Sequence, residues 1–448
     1  MSSDFDRKPA IGLTASARAR LVERFRTQKN QATPAAEVTD AERLRPTAAV
    51  PEAWCRFERH PAYERLVISQ TAAQRLALDN PFFRVHEGVA GATTRIGGRE
   101  LVNFSSYNYL GLNGHPRVNA AAAAAIERYG TSPSASRLVA GERPIQRELE
   151  RALAEFYGVE DCIAFVSGHA TNVSTLGSLF GPKDLILHDA LSHNSVLEGI
   201  KLSGAHRRSF PHNDWQALDA LLDQLRHQFE RVLIVIEGLY SMDGDTPDLP
   251  RFIDVKTRHQ AFLMVDEAHA LGTLGPSGRG LAEHYDVSST SVDIWMGTLS
   301  KTLAGCGGYI AGRRVLVELL KYTAPGFVYS VGLSPALAAA SLEALRILQE
   351  EPGRVAQLQA NGRYFYEHAH ARGIDTGLSQ GHAITAAAIG SSLKAVKISN
   401  ALLARGYNVQ PIVYPAVEEK SARLRFFLSS EHAPAQMQGA IDTLASLL

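Results

Sequence analysis

The chain has 448 residues, with 46 basic (Lys and Arg) and 46 acidic (Asp and Glu) side chains, which is length enough for two or three domains around well-buried cores. Balanced charge with no long basic run beyond residue 30 argues against nucleic acid or an acidic membrane surface as a partner. Three widely spaced cysteines, Cys55, Cys162 and Cys306, argue against a disulfide framework and a paired-cysteine metal site; with no apolar signal core in MSSDFDRKPA and no bilayer-length apolar run, a cytoplasmic protein is expected.

Residues 14–29, TASARARLVERFRTQK, carry Leu21, Val22 and Phe25 at helical spacing on a basic background, and a Pro/Ala/Thr-rich passage follows to residue 51. The pattern predicts a short helix on a linker, acting either as an arm packed on the body or as a docking segment for a carrier protein or partner enzyme. The expected organisation is this N-terminal piece (1–50), a lead-in segment (51–112), a large domain (113–345) and a smaller C-terminal α+β domain (346–448). From Asp161 onward, short apolar runs alternate with helical patterns: CIAFVSG, DLILHD, VLIVIEGLYSMDGD, FLMVDEAHA, DIWMGTLSK and GGYIAG. Runs this continuous are strands buried on both faces, and their alternation with helices predicts an α/β fold built on a mainly parallel sheet.

Ligands of such sheets collect at the carboxyl ends of the strands. There the sequence places Gly168-His169-Ala170-Thr171-Asn172 at a helix start, Ser192-His193-Asn194-Ser195, Asp266-Glu267-Ala268-His269 and Thr298-Leu299-Ser300-Lys301. A lone histidine at a strand end is ordinarily a hydrogen-bonded or surface residue, and Asp266 could simply cap the next helix. Lys301 is harder to explain that way, because lysine is costly to bury and its small, hydroxylated neighbours offer it no carboxylate. A lysine needed uncharged for covalent chemistry belongs in such surroundings. Pyridoxal phosphate uses all these parts together: an aldehyde for the lysine, a ring nitrogen for a carboxylate, and a phosphate for hydroxyls and backbone amides at a helix start. A zinc site from His193, Asp266 and His269 would lack a completing His/Cys cluster and would leave Lys301 idle.

Residues 103–448 resemble the α-oxoamine synthases, pyridoxal-phosphate enzymes of fold type I. The resemblance is carried by NFSSYNYLGL (103–112), SGHATN (167–172), LSHNSVLEG (191–199), EGLYSMDGD (237–245), MVDEAHALGTLGPSGRG (264–280), TLSKTLAGCGG (298–308) and ARLRFFLS (422–429). It implies a seven-stranded, mainly parallel sheet in the large domain, Lys301 as the Schiff-base lysine, Asp266 as partner of the ring nitrogen, and His269 as partner of the ring hydroxyl. It further implies His193 stacked on the ring, and Gly168, His169, Thr298 and Ser300 around the phosphate. Ser241 is expected near the ring hydroxyl or the amino acid, Arg425 on the substrate carboxylate, and Tyr107 among the substrate contacts. Three positions depart from the family pattern. Tyr107 looks like serine palmitoyltransferase; His169 replaces an aromatic, and its side chain is expected to turn into the protein; YSVGLSP (329–335) leaves Ser330 as the hydroxyl to reach a partner subunit's phosphate. The implied reaction is decarboxylative condensation of glycine, alanine or serine with an acyl thioester, on CoA or a carrier protein, to an α-amino ketone in a homodimer. An aminotransferase, or an enzyme like 2-amino-3-ketobutyrate CoA ligase, is the alternative on the same cofactor. A non-catalytic subunit is expected to lack the lysine that is present here.

Overall fold

A computed structural model describes residues 50–76 and 78–448 of the chain. Two compact units divide it, Met1–Arg75 and Leu76–Leu448. In the first, a single helical turn, Glu52–Cys55, and a 3-10 turn, Phe57–Arg59, precede the helix Pro61–Arg75, which starts on proline, where no N–H is needed. The helix expected over 14–29, most of the linker after it and the docking reading attached to them lie outside the described residues.

The second unit opens with a hairpin, β1 (Thr93–Ile96) and β2 (Arg99–Asn103), turned through Gly97 and Gly98 at φ +57° and +73°, the left-handed pair that a tight hairpin requires. A sheet of seven strands follows: β3 (Asp161–Phe165), β4 (Leu185–Asp189), β5 (His206–Phe210), β6 (Val232–Glu237), β7 (Phe262–Asp266), β8 (Ile294–Thr298) and β9 (Gly308–Gly312), in the order β3-β9-β8-β7-β6-β4-β5. Every residue of β4, β6, β8 and β9 is buried, as their uninterrupted apolar runs predict. Alternate residues feed cores on opposite faces: Leu187, Ile236, Val265 and Trp295 pack on one side, and Ile186, Val235, Met264 and Met296 on the other. β5 forms an edge, where exposed His206, Arg207 and Arg208 discourage further pairing.

One strand breaks the parallel rule. β9 runs antiparallel to both β3 and β8. The connection from β8, residues 299–307, is too short for the dozen or more residues of a parallel crossover, so the chain must turn straight back. That reversing connection carries Lys301.

The remaining strands are β10 (Ile384–Ala388), β11 (Tyr407–Asn408), β12 (Gln410–Ile412) and β13 (Arg423–Phe427). β13 lies between β10 and β12, antiparallel to each, and β11 pairs parallel with β2. Alternation along β13 sends Leu424 and Phe426 into the core and leaves Arg423 and Arg425 together on the other face. Among the described residues no helix is long and apolar enough to cross a membrane.

Candidate active site

Because β9 opposes both of its neighbours, β3 points the same way as β4, β6, β7 and β8, and the carboxyl ends of all five lie at one edge. A cavity of about 430 Å³ opens there, lined by Gly168, His169, His193, Ser241, Asp266 and His269, together with Thr298 and Lys301. Eight residues singled out in the sequence therefore share one wall.

The Lys301 connection is tied down at its base. Thr298 Oγ1 donates to Gly307 O at 2.9 Å, Leu299 N to the same oxygen at 2.9 Å, and Ser300 N to Thr298 Oγ1 at 3.2 Å. Opposite it starts the helix Gly168–Leu179, capped by Ser167, whose hydroxyl accepts from Ala170 N. A Cβ on Gly168 would come within 2.9 Å of Thr298 Oγ1, so only glycine lets these amides close on that hydroxyl. Burial pulls the Lys301 ammonium down to about 8, against the pull of Asp266 and Glu237 in the other direction.

Asp266 ends β7 with both oxygens engaged: Ala268 N donates to Oδ1 at 3.0 Å and Asn172 Nδ2 to Oδ2 at 2.8 Å. Glu237 ends the adjacent strand in register with it and accepts from His193 N at 2.7 Å; burial, and then the Asp266 charge, push its carboxyl well up. His269 pairs through Nδ1 with the buried Tyr109 hydroxyl at 2.7 Å. Burial and the nearby cations hold His269 well below the ordinary imidazole range, hence neutral.

Arg425 donates through Nη1 to Ser241 O at 3.0 Å and stacks on Phe427 at 4.5 Å. Its neighbour Arg423 pairs with Asp243, whereas Arg425 has no acidic partner among the described residues and its buried Nε makes no hydrogen bond. A fork with a free tine is a site for an external carboxylate. The loop that receives Arg425 is fastened from behind. His212 bridges Asp189 (Nδ1, 2.9 Å) and Asp245 (Nε2, 2.8 Å), and Asn213 binds the same two carboxylates through its backbone N–H and side-chain amide. Burial works against charge on His212, but the two carboxylates outweigh it and raise the imidazole to about 10.

The other expected residues fall outside this cavity or at its rim. Tyr107 and Ser300 line an adjoining cavity of about 720 Å³ that shares Lys301, with the ammonium 5.4 Å from the Tyr107 ring centroid. His169 does not turn inward: it is exposed at the cavity mouth, 6.5 Å between ring centroids from His193, because the buried face of its helix is formed by Thr171, Asn172, Thr175 and Leu176. Ser330 lines neither cavity; its segment is pinned by Gly332 N to Ala135 O at 3.0 Å. The sequence reading assigned no role to Glu237, Tyr109, Asn172, Ser195 or His212. The acid closing the apolar run VLIVIE was the available signal for Glu237; the others have only their position within quoted or neighbouring motifs.

A buried amine held at about 8, a carboxylate with two N–H donors, a neutral imidazole, a glycine-edged helix start and a guanidinium with no acidic partner among the described residues fit pyridoxal phosphate and an amino acid. Residues 99–444 match the family "Aminotransferase class I and II". The chain is 38% identical over 357 residues to 8-amino-7-oxononanoate synthase of Thermoanaerobacter pseudethanolicus, covering 80% of this chain and 90% of the relative. A match to the same enzyme of Fervidobacterium nodosum is 39% identical over 362 residues, covering 80% and 91%. Its fold matches the serine palmitoyltransferase of S. paucimobilis, solved with bound PLP-myriocin aldimine, at a TM-score of 0.83 and 29% identity, covering 86% of this chain and 97% of that one. The chain is an α-oxoamine synthase of the class I and II aminotransferase family. The fold type and the cofactor that the sequence motifs implied are therefore those of the family.

One buried acid of this synthase has no place in the cavity. Glu267 accepts from Leu281 N at 3.0 Å, while Oε2 has no partner. Its carboxyl is wedged beside Gly238 and Gly280, where added Cβ atoms would come within 2.8 Å and 1.9 Å of its oxygens. Burial pushes it up to about 8. Between the unfolded value and 8 the native state keeps a proton that the unfolded chain releases, so stability falls as pH rises through that window and levels off above it. Glu267→Gln should flatten this slope: urea midpoints of variant and parent are expected to converge near pH 4.5 and to differ most at pH 8 and above, the variant being the more stable.

Proposed function

We propose that the chain condenses a small amino acid with an acyl thioester, releasing carbon dioxide and free thiol and giving an α-amino ketone, with Lys301 and Arg425 as the two residues that handle the amino acid. The observation that carries this assignment of roles is the Arg425 guanidinium, with a buried Nε that makes no hydrogen bond, anchored on the cavity-lining Ser241 and close enough for its charge to act on a lysine whose amine is held at about 8. Pyridoxal phosphate supplies an electron sink conjugated to the amino acid's Cα.

The protein's part is orientation and proton handling. Arg425 would hold the substrate carboxylate and so set which bond at Cα is presented to Lys301. Lys301 Nζ takes the Cα proton, a task suited to an amine that burial has brought toward neutrality. Asp266, which accepts from two N–H donors, would hold the ring nitrogen of the bound cofactor in its protonated form. His193, neutral and facing the cavity, gives a proton to the oxyanion that forms when Cα meets the thioester carbonyl. Gly168, His169, Thr298 and Ser300 are assigned to the phosphate, His269 and Ser241 to the ring hydroxyl side, and Tyr107 to the substrates. Ser330, remote from this cavity, is assigned to the phosphate site of a second copy, and the working form is a homodimer; a monomer mass in sedimentation would overturn both assignments.

Purified chain incubated with a panel of amino acids, with and without acyl-CoA or acyl-carrier protein, tests the reaction. Mass spectrometry is expected to show an α-amino ketone, and carbon dioxide release is expected to require the thioester. Amino-group transfer without thioester would overturn the reading. Arg425→Ala is expected to raise KM for the amino acid roughly 10- to 100-fold, the worth of hydrogen bonds to a charged group, and to lower reaction specificity. Arg425→Lys should recover little of either, since an ammonium cannot make the fork. Unchanged steady-state kinetics in the alanine variant would remove Arg425 from the site.

A further inference from the structure

A continuous hydrogen-bonded chain joins two residues given separate tasks above. Asn172 Nδ2 lies 2.8 Å from Asp266 Oδ2 and 2.9 Å from Ser195 Oγ, and Ser195 Oγ lies 2.7 Å from His193 Nδ1. The backbone N–H of Ser195 also points at His193 Nδ1, at 3.2 Å. All members except His193 are at most 5% exposed.

The direction of every hydrogen in this chain follows from its two ends. At one end, a backbone N–H can only donate, so His193 Nδ1 must accept and carries no proton. At the other, the carboxylate of Asp266 can only accept, so Asn172 must present its amide nitrogen. That orientation leaves Asn172 Oδ1 buried without a partner, a cost the reverse orientation would exceed by setting the amide oxygen against a carboxylate. With both amide hydrogens committed, Ser195 Oγ accepts from Asn172 and passes its own hydrogen to His193 Nδ1. A neutral imidazole that accepts at Nδ1 holds its proton on Nε2. His193 lines the cavity with Nδ1 turned to Ser195, which leaves Nε2 for the cavity.

We propose that Asn172 and Ser195 are positioning residues that keep the proton of His193 on Nε2, so that the acid on the ring nitrogen also sets which nitrogen of the stacked histidine can give a proton away. The groups facing His193 are Asp266, Lys301, His169 and, at its backbone, Glu237. Burial disfavours the imidazolium first, Lys301 and His169 disfavour it further, and Asp266 alone opposes them; the neutral form, for which the tautomer matters, is the resting one. Catalysis by an imidazole depends on that tautomer, because its orienting partner decides which nitrogen is armed. The purpose of the proton rests on the reaction proposed above, while its location does not.

The test uses the full chain labelled with ¹⁵N-histidine, with and without cofactor, the resonances of position 193 being assigned by their loss in His193→Asn. In the parent, Nε2 is expected to resonate as the protonated nitrogen and Nδ1 as the bare one. Ser195→Ala should mix the two tautomers, shift the His193 limb of the pH–kcat profile upward, and lower kcat about 10- to 100-fold, the range seen when a partner that orients an imidazole is removed. Ser195→Thr, which keeps the hydroxyl, should restore all three. A proton on Nδ1 in the parent would overturn the proposal, and so would a Ser195→Ala variant that loses activity while its histidine resonances stay in place, since that loss would be structural. The tautomer is read without turnover, so a chain that released no carbon dioxide would overturn the reaction and not this assignment.

Discussion

Lys301→Ala is expected to abolish turnover, by at least about 10⁴-fold, because on the roles proposed for Lys301 one change removes both the covalent anchor of the cofactor and the base that acts at Cα. Thioester-dependent carbon dioxide release should fall to background, and the visible absorbance of covalently held cofactor should disappear. The same variant carries an opposite signature in stability. Burial holds the parent's amine at about 8, below its unfolded value of 10.5. Between 8 and 10.5 the unfolded chain therefore binds more protons, and parent stability rises with pH across that window. Below 8 the parent carries a buried cation at full cost. Cofactor-free Lys301→Ala should accordingly melt above the cofactor-free parent at pH 7, with the difference shrinking toward pH 10.5. An active site assembled at the expense of stability behaves this way. A variant less stable than its parent at pH 7 would show that the lysine is a structural prop.

Asp266→Asn is expected to lower kcat by roughly 10²–10³-fold, the scale of losing one preorganised electrostatic contact to developing charge. On the role proposed for Asp266, a neutral amide at this position would not hold a proton on the ring nitrogen. It also misfits its own surroundings: Ala268 N and Asn172 Nδ2 both donate to position 266, and an amide offers only one acceptor atom for the two of them. Proton removal at Cα should become more nearly rate-limiting, so a Cα-deuterated amino acid should give a larger isotope effect on kcat in the variant than in the parent. Equal isotope effects and equal kcat would mean that Asp266 does not face the ring nitrogen.

The sheet strands were legible because burial on both faces leaves a plain mark, and the strand-end rule then led to Lys301, Asp266, His193 and His269 without any knowledge of their partners. The partners themselves were not legible. Tyr109 meets His269 across 160 positions and Asn172 meets Asp266 across 94, and no local pattern encodes contacts so distant. Glu237 had a mark of its own, a charge closing an apolar run, but it reads in the sequence as part of a motif rather than as a buried acid. The antiparallel course of β9 is set by a loop length, which apolar periodicity does not register. The family's aromatic at position 169 suggests an inward side chain for His169; the helix phase, fixed by Thr171 and Thr175, turns it out. Ser330 could not be placed by one chain's cavity, since the resemblance had assigned it to another's.

The His212 bridge has a bearing on how such an enzyme can change its diet. Asp189 at the end of β4 and Asp245 in the loop after β6 share one cation, so replacing any of the three strands an unmatched charge in the interior. Single substitutions there are traps, and a lineage drifting toward a new amino acid is channelled away from the loop that seats Arg425. On the carboxylate role proposed for Arg425, a change of diet is then expected to come from residues that touch the side chain of the incoming amino acid rather than from the loop that holds this guanidinium.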